Sequence, residues 1–155
     1  TGHTFIKQKI RETDALLGGE MSGHIFFNDR WPGFDDGIYA GARMLEIIAN
    51  SEQDDPFVTV PNMLSTPEIN IPAADEEKFQ IVKTFIENSN FSDAKIVNID
   101  GIRVEFEKGW GLLRPSNTSP CLVLRFEAET NDDLNKIKEI FYIGLKRIKP
   151  NIGKF

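Results

Sequence analysis

Apolar residues recur at helical spacing in several places along the chain, and strand-like runs separate them. Ile38, Gly41, Leu45 and Ile48 line one side of a predicted helix over about residues 36–49, which Asp35 or Asp36 can cap. Phe79, Val82, Phe85 and Ile86 share a face over about 75–88, with Asp75 near the start. Leu134, Ile137, Ile140, Phe141, Leu145 and Ile148 repeat the pattern over about 131–148, with Thr130 as cap. A further helix is predicted over 3–13.

Strands are expected within Ala15 to Phe27, and again at Pro67–Ile71, Lys95–Ile99, Ile102–Phe106, Gly109–Leu113 and Leu122–Phe126. Asp100-Gly101 is a hairpin signal between two of these. Ser51 to Pro56 reads as a polar loop, and Pro61 to Pro67 as the rest of a linker. The chain is therefore expected to be α+β, with a first unit over 1–55, a linker over 56–66 and a second unit over 67–155. In the second unit the order of elements implies an antiparallel sheet with two helices on one side.

Composition narrows the class of function. A net charge of −6 provides no basic face for nucleic acid, so any anion site must be local. No run approaches the ~18 apolar residues of a membrane span. The single cysteine, Cys121, excludes an internal disulfide and fits a reducing, cytoplasmic setting; it opens an apolar strand and is expected to be a buried, inert thiol.

Two short stretches carry chemistry. In Gly19-Glu20-Met21-Ser22-Gly23-His24, period-two alternation would put Glu20, Ser22 and His24 on one side of a strand. Carboxylate, hydroxyl and imidazole together suit a polyhydroxylated ligand, since they accept and donate in different ways. The alternative is an exposed polar strand edge between glycine turns. In Arg114-Pro115-Ser116-Asn117-Thr118-Ser119-Pro120, between two apolar runs, a guanidinium adjoins hydroxyls, an amide and loop N–H groups. Phosphate favours this combination. The alternative there is an ordinary polar hairpin loop.

With these residues in place, the chain resembles the alpha-D-phosphohexomutase superfamily, and within it the bacterial phosphomannomutase/phosphoglucomutase branch. The resemblance rests on Gly-Glu-Met-Ser-Gly-His at 19–24 and the Arg114–Pro120 loop about ninety residues later. Thr1-Gly2-His3, Gly33-Phe34-Asp35-Asp36-Gly37 and Lys108-Gly109-Trp110-Gly111 support it. Glucosamine-phosphate relatives usually carry Gln at the place of Met21 and Ser-Gly-Thr-Glu at 116–119. The resemblance implies that 1–55 is the C-terminal part of domain 3, with the sugar loop. It implies that 67–155 is domain 4, a four-stranded antiparallel sheet with two covering helices, preceded by the partial α/β domain.

It implies roles as well. Glu20 and Ser22 would grip vicinal hydroxyls of a hexose, with His3 and His24 beside the sugar and His24 suited to moving a proton. Arg114, Ser116, Asn117 and Thr118 would hold the phosphate that is not transferred. The complete enzyme, a phosphoprotein isomerase of carbohydrate metabolism, would interconvert mannose or glucose 1- and 6-phosphates through a hexose 1,6-bisphosphate intermediate. It would use a phosphoserine and a Mg2+ bound by an Asp-x-Asp-x-Asp-type loop. Neither loop is found in these residues, so the chain is expected to be a C-terminal fragment, inactive alone, whose partners are hexose phosphates and the N-terminal domains of the same enzyme. A non-catalytic sugar-phosphate-binding or structural module is the other reading. The segment 51–65 is expected to let domain 4 close over substrate.

Overall fold

The structure, a computed structural model, describes residues 2–155 and consists of two units, Thr1–Val60 and Pro61–Phe155. In the first unit, helix α1 (His3–Thr13) ends at Asp14, whose φ of 51° is the left-handed turn that commonly stops a helix. The strand expected within 15–27 is instead a hairpin of two short strands, β1 (Leu17–Gly19) and β2 (Ile25–Phe27), paired from Leu17–Phe27 to Gly19–Ile25. The paired glycines and the polar residues after them favour a turn where strict alternation suggested continuity. α1 lies close to this hairpin: a Cβ at Gly18 would come within 2.9 Å of the Ile10 side chain.

Helix α2 (Gly37–Asn50) starts where expected, because the Asp36 carboxylate accepts from the amides of Ile38 and Tyr39. Arg43 fixes it against the segment that follows β2. Its guanidinium lies 4.3 Å from the Phe27 ring centroid and 2.8 Å from Asp29 Oδ1, and it reaches Glu46. Trp31 stacks on Tyr39 at 4.3 Å, a packing role. The apolar face of α2 differs from expectation. None of its residues is buried, and Ile38 is 89% exposed. Among the described residues, Ile10 and Phe26 are the buried apolar side chains of this unit.

The Asp29 contact makes a pH prediction. Hydrogen bonds from the Arg43 guanidinium and the Arg30 backbone lower the Asp29 carboxyl from 3.8 to about 2. A depressed acid contributes stability that is fully present above its unfolded value and lost as pH falls through the folded one. Stability of the first unit should therefore drop between about pH 4 and pH 2, and the Asp29→Asn variant should lose this part of the acid transition. An acid titration followed by Trp31 fluorescence checks it.

The second unit begins with β3 (Leu64–Ser65) and β4 (Ile69–Pro72), both antiparallel to the same long strand. Helix α3 (Asp75–Asn88) follows, then β5 (Lys95–Val97), β6 (Ile102–Phe106), β7 (Gly109–Pro115), β8 (Cys121–Ala128) and helix α4 (Asn131–Ile148). The sheet runs β3-β8-β7-β6-β5, with β4 also on β8. It thus has six strands where four were expected. β5 answers to the run expected at Lys95–Ile99; the edge along β8 is broken at Pro67, which has no N–H for the ladder, and so pairs as two short strands, β3 and β4. Thr66 bridges the break: its N–H donates to the Phe126 carbonyl at 2.9 Å, and its hydroxyl accepts from the Phe126 N–H at 3.1 Å. The stretch 61–67, read as linker, is accordingly tied to the sheet from Leu64 onward.

Both helices of this unit set most of their apolar stripes into one cluster with the sheet, whereas Phe79 and Ile140 of the expected stripes are exposed. Phe85, Phe126 and Phe141 are fully buried, and Phe141 packs 5.3 Å from Phe85 and 5.2 Å from Phe126. Gly111 makes room for it, since a Cβ there would meet the Phe141 ring at 2.5 Å. Each such side chain contributes on the order of 2–3 kcal/mol of transfer free energy, so most of the chain's hydrophobic stabilisation resides in the second unit. Cys121 differs from expectation in being half-buried, with Sγ 3.6 Å from Asn70 Oδ1 at the start of β8.

Candidate functional site

The loop joining β1 to β2 gathers the residues expected to bind sugar. The Glu20 N–H donates to the His24 carbonyl at 2.8 Å, and the Gly23 N–H to the Glu20 carbonyl at 2.9 Å. Gly23 has φ +89°, a conformation that a side chain would strain. The turn, rather than the pleat of a strand, is what brings Glu20, Ser22 and His24 together. Glu20 accepts from the Gly2 N–H at 3.1 Å and, more weakly, from the Ser22 hydroxyl at 3.4 Å. The first contact ties the start of α1 to the loop and so delivers His3. The His3 ring meets that of His24 edge-on at 4.9 Å and that of Phe26 at 5.3 Å.

Asp35 completes this group and was not among the residues singled out for a role in binding. Its Oδ2 lies 2.8 Å from His24 Nδ1 and 3.3 Å from His3 Nε2. Its backbone bridges to Phe26 of β2. An ionised carboxylate only accepts, so the His24 nitrogen facing it must donate. In the neutral ring, His24 Nε2 then carries the lone pair. A signal for Asp35 existed in the sequence: helix α2 needs one capping aspartate, and two are present. Because Asp36 does the capping, Asp35 had no structural task assigned to it.

The second unit supplies the other group. Ser116 is buried at 6% exposure, and its hydroxyl oxygen accepts from the amides of Thr118 at 3.3 Å and Ser119 at 3.1 Å. Its own N–H donates to the Cys121 carbonyl, and the Cys121 N–H to the Ser119 carbonyl. Ser116 therefore shapes the loop from inside, whereas Asn117 and Thr118 are exposed at its tip. Arg114, half-buried, places Nη1 3.4 Å from Asp100 Oδ2. That long contact engages one of five guanidinium donors. Lys78 is an unforeseen support. Buried at 4% exposure on α3, it donates to the Ser119 carbonyl at 3.1 Å and pairs with Asp75. With the Ala73 N–H donating to the Pro120 carbonyl, it pins the far shoulder of the loop. A lysine three residues from an aspartate reads in sequence as a surface helix pair, which is why it passed unnoticed. Trp110 is covered by the Arg103 guanidinium at 3.9 Å, again a packing role.

Comparison with known proteins fits both units. Residues 1–59 match the family model for the phosphoglucomutase/phosphomannomutase alpha/beta/alpha domain III, and residues 68–143 match that for the C-terminal domain. The chain belongs to the phosphoglucomutase/phosphomannomutase family. It is 52% identical over 154 residues to a phosphomannomutase/phosphoglucomutase of Pseudomonas syringae pv. tomato, covering 98% of this chain and 33% of that protein. It is 49% identical, with the same coverage, to the Pseudomonas aeruginosa PAO1 protein of that name. A probable phosphoglucosamine mutase of Methanosarcina acetivorans is 34% identical over 151 residues, covering 96% of this chain and 32% of that protein. Among solved structures, a phosphoglucomutase/phosphomannomutase family protein from Burkholderia thailandensis superposes with a TM-score of 0.87 at 46% identity, covering all of this chain and 33% of that one. The chain thus spans about a third of the length of the relatives it matches. No described helix is long and apolar enough to cross a membrane.

Proposed function

We propose that this chain is the substrate-recognition portion of a phosphomannomutase/phosphoglucomutase, an isomerase that interconverts hexose 1- and 6-phosphates by phosphoryl transfer through a hexose 1,6-bisphosphate. The observation that carries this reading is the hairpin loop on which Glu20, Ser22 and His24 converge with His3 and Asp35. Glu20 accepts from two sugar hydroxyls and Ser22 from or to a third, so the hexose is oriented before reaction. Asp35 holds His24 with Nε2 outward, where it accepts the proton of the hydroxyl that is to be phosphorylated. Arg114 binds the resting phosphate through its guanidinium, aided by Asn117 and Thr118 at the loop tip, while Ser116 and Lys78 keep the loop in shape. Small hydroxyl and amide groups tolerate both orientations of a ligand that must present each end in turn.

The Mg2+ expected from the family has no fit among the described residues. The group of His, Cys, Asp and Glu close enough to hold an ion is His3, His24 and Asp35. Two imidazoles and one carboxylate do not make the all-oxygen shell that Mg2+ requires. No step is therefore assigned to a metal here. The nucleophile, the metal site and cytoplasmic partner domains would be contributed by residues outside these 155.

A titration of the 15N-labelled chain with glucose 1-phosphate, mannose 1-phosphate and inorganic phosphate tests the reading. The expected result is that phosphate alone shifts the Asn117 and Thr118 amides, and the sugar phosphates also shift Glu20 to His24. Arg114→Ala should weaken binding of all three by about tenfold or more, as expected for loss of a charge-assisted contact worth roughly 1.5–3 kcal/mol. Shifts that bypass both loops would overturn the assignment.

A further inference from the structure

We propose that His3, His24 and Asp35 form a binding site for a transition-metal ion of the Zn2+ class, independently of whether a sugar binds beside them. The three donor atoms all lie within 4.8 Å of one another, with separations of 2.8 Å and 3.3 Å from Asp35 Oδ2 to the two imidazole nitrogens. A tetrahedral ion with bonds of about 2.1 Å holds its donors about 3.4 Å apart. The observed spacing is therefore near that of a face of the coordination shell, and modest side-chain rotation completes it. The remaining positions face solvent, because the His3 and His24 side chains are 45% and 46% exposed. Water can fill them.

The donors are also held in place before any ion arrives. Phe26, fully buried, anchors all three: the His3 ring packs on its ring, the Asp35 backbone bridges to it, and His24 lies two residues before it. Preorganisation of this kind separates a site from a chance surface cluster. The donor chemistry sets the class of ion. Two borderline imidazole nitrogens and one carboxylate oxygen favour Zn2+, Co2+ or Ni2+ over Mg2+ and Ca2+. In the metal-free chain both nitrogens face one carboxylate oxygen, and a neutral ring facing an ionised carboxylate keeps its proton on that side. On binding, each neutral ring shifts its proton to the other nitrogen, so the ion is accepted with no net loss of charge from the ligands. An ion there would take His24 Nδ1 and leave Nε2, the nitrogen assigned above to the sugar hydroxyl, carrying the proton.

The test uses the untagged 155-residue chain and metal salts alone. Calorimetric titration with Zn2+ should show saturable binding of a single ion, and Mg2+ should show none. Co2+ should produce the visible bands of a low-coordinate site, and Zn2+ should abolish them. Zn2+ should also shift the ring resonances of both histidines in the unaltered protein, which requires no variant to fold. Asp35→Asn and His24→Gln should each weaken Zn2+ by at least about tenfold, with amide spectra otherwise unchanged. Zn2+ no tighter than Mg2+, or ring resonances of His3 and His24 unmoved at saturation, would overturn the proposal.

Discussion

Replacing His24 by alanine in the complete mutase is expected to lower kcat about 10²- to 10⁴-fold, the range lost with a positioned general base, while KM for glucose 1-phosphate changes much less. The reasoning starts from Asp35. Its oxygen sits 2.8 Å from His24 Nδ1, so the opposite nitrogen of the neutral ring is an acceptor turned away from that carboxylate. A base of this kind acts only as the sugar hydroxyl gives up its proton, and its loss therefore falls on the chemical step. Asp35→Asn should cost less, about 10- to 100-fold, since an amide can still position the ring but presents a donor half the time. The double variant should be no slower than His24→Ala, because Asp35 acts through His24. Steady-state kinetics on the four proteins decides this. A His24→Ala enzyme within threefold of wild-type kcat would remove the proton-transfer role, and a double variant much slower than His24→Ala would give Asp35 a separate one.

That arrangement was legible in the sequence only in part. The motif residues Glu20, Ser22 and His24 were identifiable because three polar functions crowd between two glycines. How they meet was not. Alternation assumes an extended chain, and the same glycines that flag the motif let it fold back through Gly23. Asp35 lies eleven residues further on, and no local pattern links it to His24; only the bridge from Phe26 brings it there. The same holds for Lys78, which reaches the Ser119 carbonyl forty-one residues away.

Helices were the most readable elements, and for a physical reason. Their periodicity and caps are local, so Asp36 and Thr130 mark the starts of α2 and α4 as expected. Strand pairing is not local. The split edge of β3 and β4 against β8 depends on Pro67 and on the Thr66 hydroxyl standing in the ladder, neither of which has a sequence signature of its own. The exposed apolar face of α2 marks a different limit: periodicity tells which side of a helix is apolar, not what covers it.

The Asp100-Gly101 turn joins this lesson to a second large effect. Gly101 has φ +84°, and a Cβ there would stand 2.3 Å from the Leu113 carbonyl oxygen and 2.7 Å from Arg114 Cα. Both contacts are with backbone of β7, which cannot yield as a flexible side chain would. Gly101→Ala therefore combines left-handed strain of about 1–2 kcal/mol with a clash that must move β6 away from β7. A total of about 3 kcal/mol or more is expected, which for a domain of this size lowers Tm by roughly 12 °C or more. Gly153→Ala is the matched control, because its Cβ would meet nothing within 4 Å, and its Tm should stay at the wild-type value. The displacement falls on Arg114, so what Gly101→Ala protein remains folded should also bind inorganic phosphate more weakly, with the Asn117 amide shift reduced. If the two glycine variants melt together, the tight approach of the Asp100-Gly101 turn to Arg114 is wrong, and with it the reason that this hairpin, and no looser one, places the guanidinium at the start of the Arg114–Pro120 loop.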